Sequence, residues 1–189
     1  MKKISTCFLD LDGVIVNWLD AIRQHIGAPP EIYDGFRKDP LSLNHDTVDA
    51  LYGGRPAFKA IQQSRPPEWW LNLEMYPWAN NLINRLNNNF PLVFLTSPGT
   101  CPMSGQGKLQ WQAKNYPDIP IVIARHKWVV ASSTKVLIDD DDWQLSRFSN
   151  AGGHSIKWRN QFELAEFTPK AIEYYIDCIV DKVDRYDRS

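Results

Sequence analysis

The N-terminal apolar run and the turn that ends it restrict this chain more than any other stretch. Ile4-Ser5-Thr6-Cys7-Phe8-Leu9 is short and β-prone, and reads as a buried strand. It stops abruptly at Asp10-Leu11-Asp12-Gly13. Taken alone, Asp-x-Asp-Gly should arise by chance in roughly one chain of this length in twenty, and its plain reading is a turn. Its place at the end of the first buried strand adds meaning, because open parallel sheets bind ligands beyond the carboxyl ends of their strands.

The rest of the chain supports such a sheet. Val16, Leu19, Ile22 and Ile26 recur at near-helical spacing, so a helix is expected soon after Gly13. From Gly27 to about Pro67 the texture changes. Pro29-Pro30, Pro40, Gly53-Gly54 and Pro66-Pro67 punctuate short helical pieces at 46–52 and 57–61, which reads as an insertion. Alternation then resumes. Ala79, Leu82, Ile83 and Leu86 mark a helix, and 91–95 marks a strand ending at Thr96-Ser97-Pro98. A helix is expected over 108–116 and strands over 119–124, 136–138 and 155–157. A closing helix begins at Thr168-Pro169, with Ile172, Tyr175, Ile176, Ile179 and Val180 on one apolar face. The expected fold is α/β: a Rossmann-like parallel sheet with helices on both faces and a small, mainly helical cap inserted after the first strand. The expected division is a catalytic core of residues 1–14 and 77–189 and a cap of residues 15–76.

Four successive strand ends carry polar side chains: Asp10 and Asp12, then Thr96 and Ser97, then Lys127, then Asp139 and Asp140. Together they are expected to form a Mg²⁺ site facing a phosphate site. Mg²⁺ takes oxygen ligands from one or two carboxylates, phosphate and water. Lysine and hydroxyl donors neutralise the remaining phosphate oxygens. A deprotonated carboxylate can attack phosphorus, and a second acid can protonate the leaving oxygen. Each part has a plainer reading on its own. The run 139–142 could be a solvated acidic loop, Thr96-Ser97-Pro98 a strand-ending turn, and Lys127 a surface lysine. Their joint order favours the site. Lys135 competes for the lysine role, but lies four residues before Asp139 on one strand, about 13 Å down the sheet.

Composition excludes several classes. With 21 basic and 22 acidic residues the net charge is −1, too little basic excess for a protein dedicated to duplex nucleic acid. No apolar run approaches the roughly 20 residues that span a bilayer, and Asp10 arrives too early for a signal peptide, so a cytoplasmic protein without membrane partners is expected. Cys7, Cys101 and Cys178 are odd in number and lack metal-ligand spacing, which suits free thiols in a reducing compartment. A homodimer is compatible with all of this.

Phe8-Leu9-Asp10-Leu11-Asp12-Gly13-Val14, Leu95-Thr96-Ser97, Lys127 and Leu137-Ile138-Asp139-Asp140 resemble the four motifs of the haloacid dehalogenase superfamily phosphatases. Within that superfamily the chain is most similar to the 5'(3')-deoxyribonucleotidase family. The narrower likeness rests on Phe94 to Pro98, on Lys108-Leu109-Gln110-Trp111, and on Trp70-Leu71-Asn72-Leu73-Glu74. The resemblance implies a Mg²⁺-dependent phosphatase of (deoxy)nucleoside monophosphates. Asp10 would be the nucleophile. Asp12 would be the general acid and base, with its main-chain carbonyl on the metal. Thr96, Ser97, Lys108 and Lys127 would hold the phosphate, and Asp139 and Asp140 would complete the metal site. Lys108 could equally lie on a solvated helix face. Trp18, Phe36, Trp69 and Trp70 would stack on the nucleobase or else form the cap's own core. One departure stands out: close relatives often carry an arginine after the acidic pair, where this chain has Asp141.

Two other readings compete. One is a phosphatase of another small phosphoester, with structural aromatics. The other is a non-enzymatic phospho-accepting or nucleotide-binding protein, disfavoured because the acidic pairs come first and last and because both Asp10 and Asp12 are present.

Overall fold

The computed structural model describes residues 3–25, 63–99, 101–159, 163–164 and 167–188. Phe36, most of the expected cap and its two helical pieces lie outside the described residues. Five parallel strands form one sheet: β1 (Thr6–Leu9), β2 (Leu92–Thr96), β3 (Ile121–Ile123), β4 (Lys135–Asp139) and β5 (His154–Lys157), in the order β3-β2-β1-β4-β5. The described helices are α1 (Trp18–His25), α2 (Pro67–Leu71), α3 (Ala79–Asn89), α4 (Pro102–Asn115), α5 (Asp142–Asn150) and α6 (Pro169–Arg188), with a 3₁₀ turn at Lys127–Val130. This is the expected α/β fold. No described helix is long and apolar enough to cross a membrane.

Strand side chains alternate between the two faces of the sheet, and both faces are covered. Cys7, Leu9, Val136, Ile138 and Ile156 join a large core with Leu82, Ile83 and Leu86 of α3 and Ile176, Ile179 and Val183 of α6. Phe8, Leu95 and Leu137 face the other way, against Leu145 and Phe148 of α5. Each fully buried aliphatic or aromatic side chain here contributes about 1.5–3 kcal/mol. The chain leaves β1 for one side of the sheet, then returns to place β4 on the other. The ends of β1 and β4 therefore flank a topological switch point, where such sheets open a crevice.

The first helix starts at Trp18, soon after Gly13 as expected but beyond Val16, because residues 11–16 form a tight loop. The N–H groups of Val14, Ile15 and Val16 all reach the Leu11 carbonyl, at 3.3, 2.9 and 2.8 Å. Asn17 Oδ1 then accepts from Asp20 N at 3.2 Å and starts the helix as an N-cap. α4 begins at Pro102, six residues before the expected start at Lys108. Proline is well placed in a first helical turn, whereas Gly105 and Gly107 weaken the helical pattern in sequence.

The two ends of the segment 15–76 are held together. Tyr76 N donates to Ile15 O and Asn17 N to Glu74 O, both at 2.9 Å. Trp78 Nε1 donates to Val14 O at 2.8 Å in the buried interior and fixes the same loop from below.

Candidate active site

Leu9 pairs with Ile138, so the next residues out, Asp10 and Asp139, emerge side by side at the switch point. Asp10 N donates to Ile138 O at 3.0 Å. Lys127 stands between the two carboxylates, its Nζ 2.7 Å from Asp10 Oδ1 and 2.7 Å from Asp139 Oδ2. All three residues are buried. The other Asp139 oxygen accepts from Asp141 N at 2.9 Å. Carboxylate oxygens of Asp10, Asp139 and Asp140 lie within 4.8 Å of one another.

Two buried carboxyls and the half-buried Asp140 therefore lie around one lysine, and the electrostatics register the excess. Burial pushes the Asp139 carboxyl up to about 7, with Asp10 adding and Lys127 opposing. Burial, then the Asp139 and Asp10 charges, raises Asp140 well above the ordinary carboxylate range. Burial alone would lower the Lys127 ammonium, but Asp10 and Asp139 outweigh it and hold the group charged. A divalent cation fits this site on two counts: the ligands are hard oxygens, and the surplus negative charge is buried and otherwise costly.

Gly13 admits Asp140. Its φ is +78°, which favours glycine, and a Cβ there would overlap Asp140 Oδ2.

Across from this cluster, Lys108 reaches in from α4. It is buried rather than on a solvated helix face, and its Nζ contacts Asp12 Oδ2 (2.5 Å), Thr96 Oγ1 (3.1 Å) and Ser97 O (2.6 Å). Ser97 Oγ accepts from Gly99 N at 3.1 Å, which leaves its own proton to donate. Asp12 Oδ1 is buried and makes no hydrogen bond. Burial raises the Asp12 carboxyl, with Lys108 opposing and Asp10 adding. A carboxyl with one oxygen anchored and the other unpaired can hold a proton and deliver it.

The structure thus brings Asp10, Asp12, Thr96, Ser97, Lys108, Lys127, Asp139 and Asp140 to one rim. Lys135 sits at the opposite end of the sheet, its Nζ on Val130 O at 2.9 Å. The aromatics divide. Trp18 and Trp69 are half-buried and packed on the core, and Trp70 is buried within it. Trp69 lines a cavity of about 510 Å³ with Asn17, Asp20, Glu68 and Leu73, and none of the rim residues lines that cavity.

Sequence reasoning missed Gln144. Its Nε2 donates to Arg125 O at 3.2 Å and its Oε1 accepts from Lys127 N at 3.3 Å, which ties the Lys127 turn to α5. Asp141-x-x-Gln144 has the spacing of a capping box, but the box is not closed: Asp141 N donates to Asp139 Oδ1, so the sequence held no signal for the role of Gln144. Asp141 does cap α5, accepting from Trp143 N at 2.8 Å. The departure at this position therefore has a structural role.

No family model and no curated protein matches the sequence. Solved structures do. A magnesium-bound HAD-hydrolase from Bacillus subtilis is 12% identical, covers 94% of this chain and 99% of its own, and superposes with a TM-score of 0.57. A haloacid dehalogenase-like family hydrolase from Xanthomonas campestris is 10% identical over 100% of both chains, with a TM-score of 0.56. A HAD-superfamily hydrolase from Ehrlichia chaffeensis is 12% identical over 97% of this chain and 98% of its own, again at 0.56. By its sheet order and by these likenesses, the chain has the fold of the haloacid dehalogenase-like hydrolases.

Proposed function

We propose that this protein is a Mg²⁺-dependent phosphatase of (deoxy)nucleoside monophosphates, acting in the manner of a 5'(3')-deoxyribonucleotidase through an aspartyl-phosphate at Asp10. The observation that carries the chemistry is the division of the two aspartates. Asp10 lies in the charged cluster with Lys127, while Asp12 faces it with a free, buried oxygen.

Asp10 attacks phosphorus, and the bond from phosphorus to the leaving alcohol oxygen breaks. Asp12 gives its proton to that oxygen. It then takes one from the water that attacks the aspartyl-phosphate, releasing inorganic phosphate and restoring Asp10. Lys127, Lys108, Thr96 and Ser97 offset the charge on the phosphoryl oxygens. Held by Asp10, Asp139, Asp140 and the Asp12 main-chain carbonyl, Mg²⁺ would neutralise phosphoryl charge and orient the group. The segment 15–76 would act as a cap beside the rim, with Trp18 supplying a ring face to a base. The substrate is a small nucleotide.

The burial of Trp70 favours a second reading, a phosphatase of another small phosphoester whose aromatics are structural. Phosphate release from a panel of nucleotides and simple phosphoesters, with and without Mg²⁺, separates the two. Asp10→Asn should abolish release from every substrate while leaving the fold intact. An Asp10→Asn protein that turned over normally would overturn the mechanism.

A further inference from the structure

Trp70 differs from the other rings near the site. It is 4% exposed, and the Lys108 ammonium stands 5.5 Å from the centre of its ring. The approach is built into the packing of α2 on α4. At Gly107, beside Lys108, a Cβ would overlap Trp70 Cβ and lie 2.5 Å from the Pro67 carbonyl oxygen. Only glycine lets the two helices come this close. The indole Nε1 is buried without an acceptor. A phenylalanine would keep an aromatic ring here without orphaning a donor. What tryptophan adds is the stronger π-face toward a cation.

We propose that Trp70 is a positioning residue for phosphate binding, its ring face holding the Lys108 ammonium beside Asp12 and Thr96. This rests on the reading of Lys108 as a phosphate ligand. A lysine ammonium sits on a flexible four-carbon stem and must be placed in advance to bind an anion without losing that freedom at the moment of binding. The three Lys108 donors are directed at Asp12 Oδ2, Thr96 Oγ1 and Ser97 O. A phosphate oxygen shares or replaces one of these acceptors while the ring keeps the ammonium from swinging away. Because α2 lies on the return of the 15–76 segment, the same contact joins that segment to the phosphate site.

Trp70→Phe and Trp70→Leu both keep an apolar side chain while weakening and then removing the ring face. Titration with inorganic phosphate in the presence of Mg²⁺ should give a Kd that rises from wild type to Phe to Leu, by about 2- to 30-fold for Leu. KM for a simple phosphoester should follow, with kcat changing less, and the two variants should have similar Tm. In the wild-type protein the ε-methylene protons of Lys108 should be shifted upfield by the indole ring current, assigned by their loss in Lys108→Met. Wild-type phosphate affinity in the Leu variant, or Lys108 protons at ordinary positions, overturns the proposal. If Trp70→Leu does not fold, the Phe variant and the wild-type spectrum decide. Failure of the phosphatase reading looks different: the wild-type protein then neither binds phosphate nor turns over any phosphoester.

Discussion

Gly13 and Asp140 approach so closely that a single methyl group at position 13 would occupy the place of Asp140 Oδ2. Gly13→Ala therefore meets two penalties, the overlap and the positive φ, which alone costs a residue with a Cβ about 1–2 kcal/mol. The carboxylate must move, and the proposed metal site with it. The expected result is a folded protein whose Mg²⁺ requirement rises roughly tenfold or more, about 1.4 kcal/mol of cation affinity. An unchanged Mg²⁺ titration of activity would remove Asp140 from the metal site.

The raised carboxyls give the metal-free protein a distinctive pH dependence. Asp139 is pushed up to about 7 and Asp140 is also raised, so between the ordinary carboxylate range and about 7 the folded state binds more protons than the unfolded state. Stability then falls as pH rises through that window. Thermal unfolding in chelator should show Tm dropping from about pH 4.5 to pH 7. Mg²⁺ should flatten the slope by supplying the positive charge that protons otherwise provide. A metal-free Tm that climbs across the window would contradict the charge excess.

Trp18 tests the nucleotide reading against the simpler phosphoester one. Stacking on a base is worth about 1–3 kcal/mol by alanine substitution in nucleic-acid sites. Trp18→Ala should lower kcat/KM for nucleoside monophosphates by roughly 5- to 150-fold and leave a base-free phosphoester nearly unchanged. A parallel fall for both substrates, or none for either, favours the structural role.

Trp78 holds the loop that follows Asp12 from beneath. Trp78→Phe keeps an aromatic beside Tyr76, whose ring stacks on it at 4.5 Å, but strands the buried Val14 carbonyl. The loss should be about 1–3 kcal/mol of stability, read from denaturant unfolding. Full wild-type stability would show that water or a shifted backbone group satisfies Val14.

Much of this site was legible in the linear chain. The runs ending at Asp10, Thr96 and Asp139 read as strands because burial on both faces demands continuous apolar residues, a property of each segment by itself. The place of Lys127 beyond a strand end, and of Lys135 at the wrong end, followed from the same local arithmetic.

The fate of Lys108 did not follow. Its helix has little amphipathic pattern and two glycines, so the segment alone offers an exposed lysine as readily as a buried one. Its burial depends on α2 crossing at Gly107, a contact between residues nearly forty positions apart. Trp70 likewise read as a candidate base platform until that crossing placed it in the core beneath the lysine. Local sequence determined which segments become strands and which side chains end them, because backbone preference and burial pattern act over a few residues. The strand order β3-β2-β1-β4-β5 and the helix crossing decided which of those side chains meet, because such contacts arise between segments distant in the chain and depend on how whole elements pack.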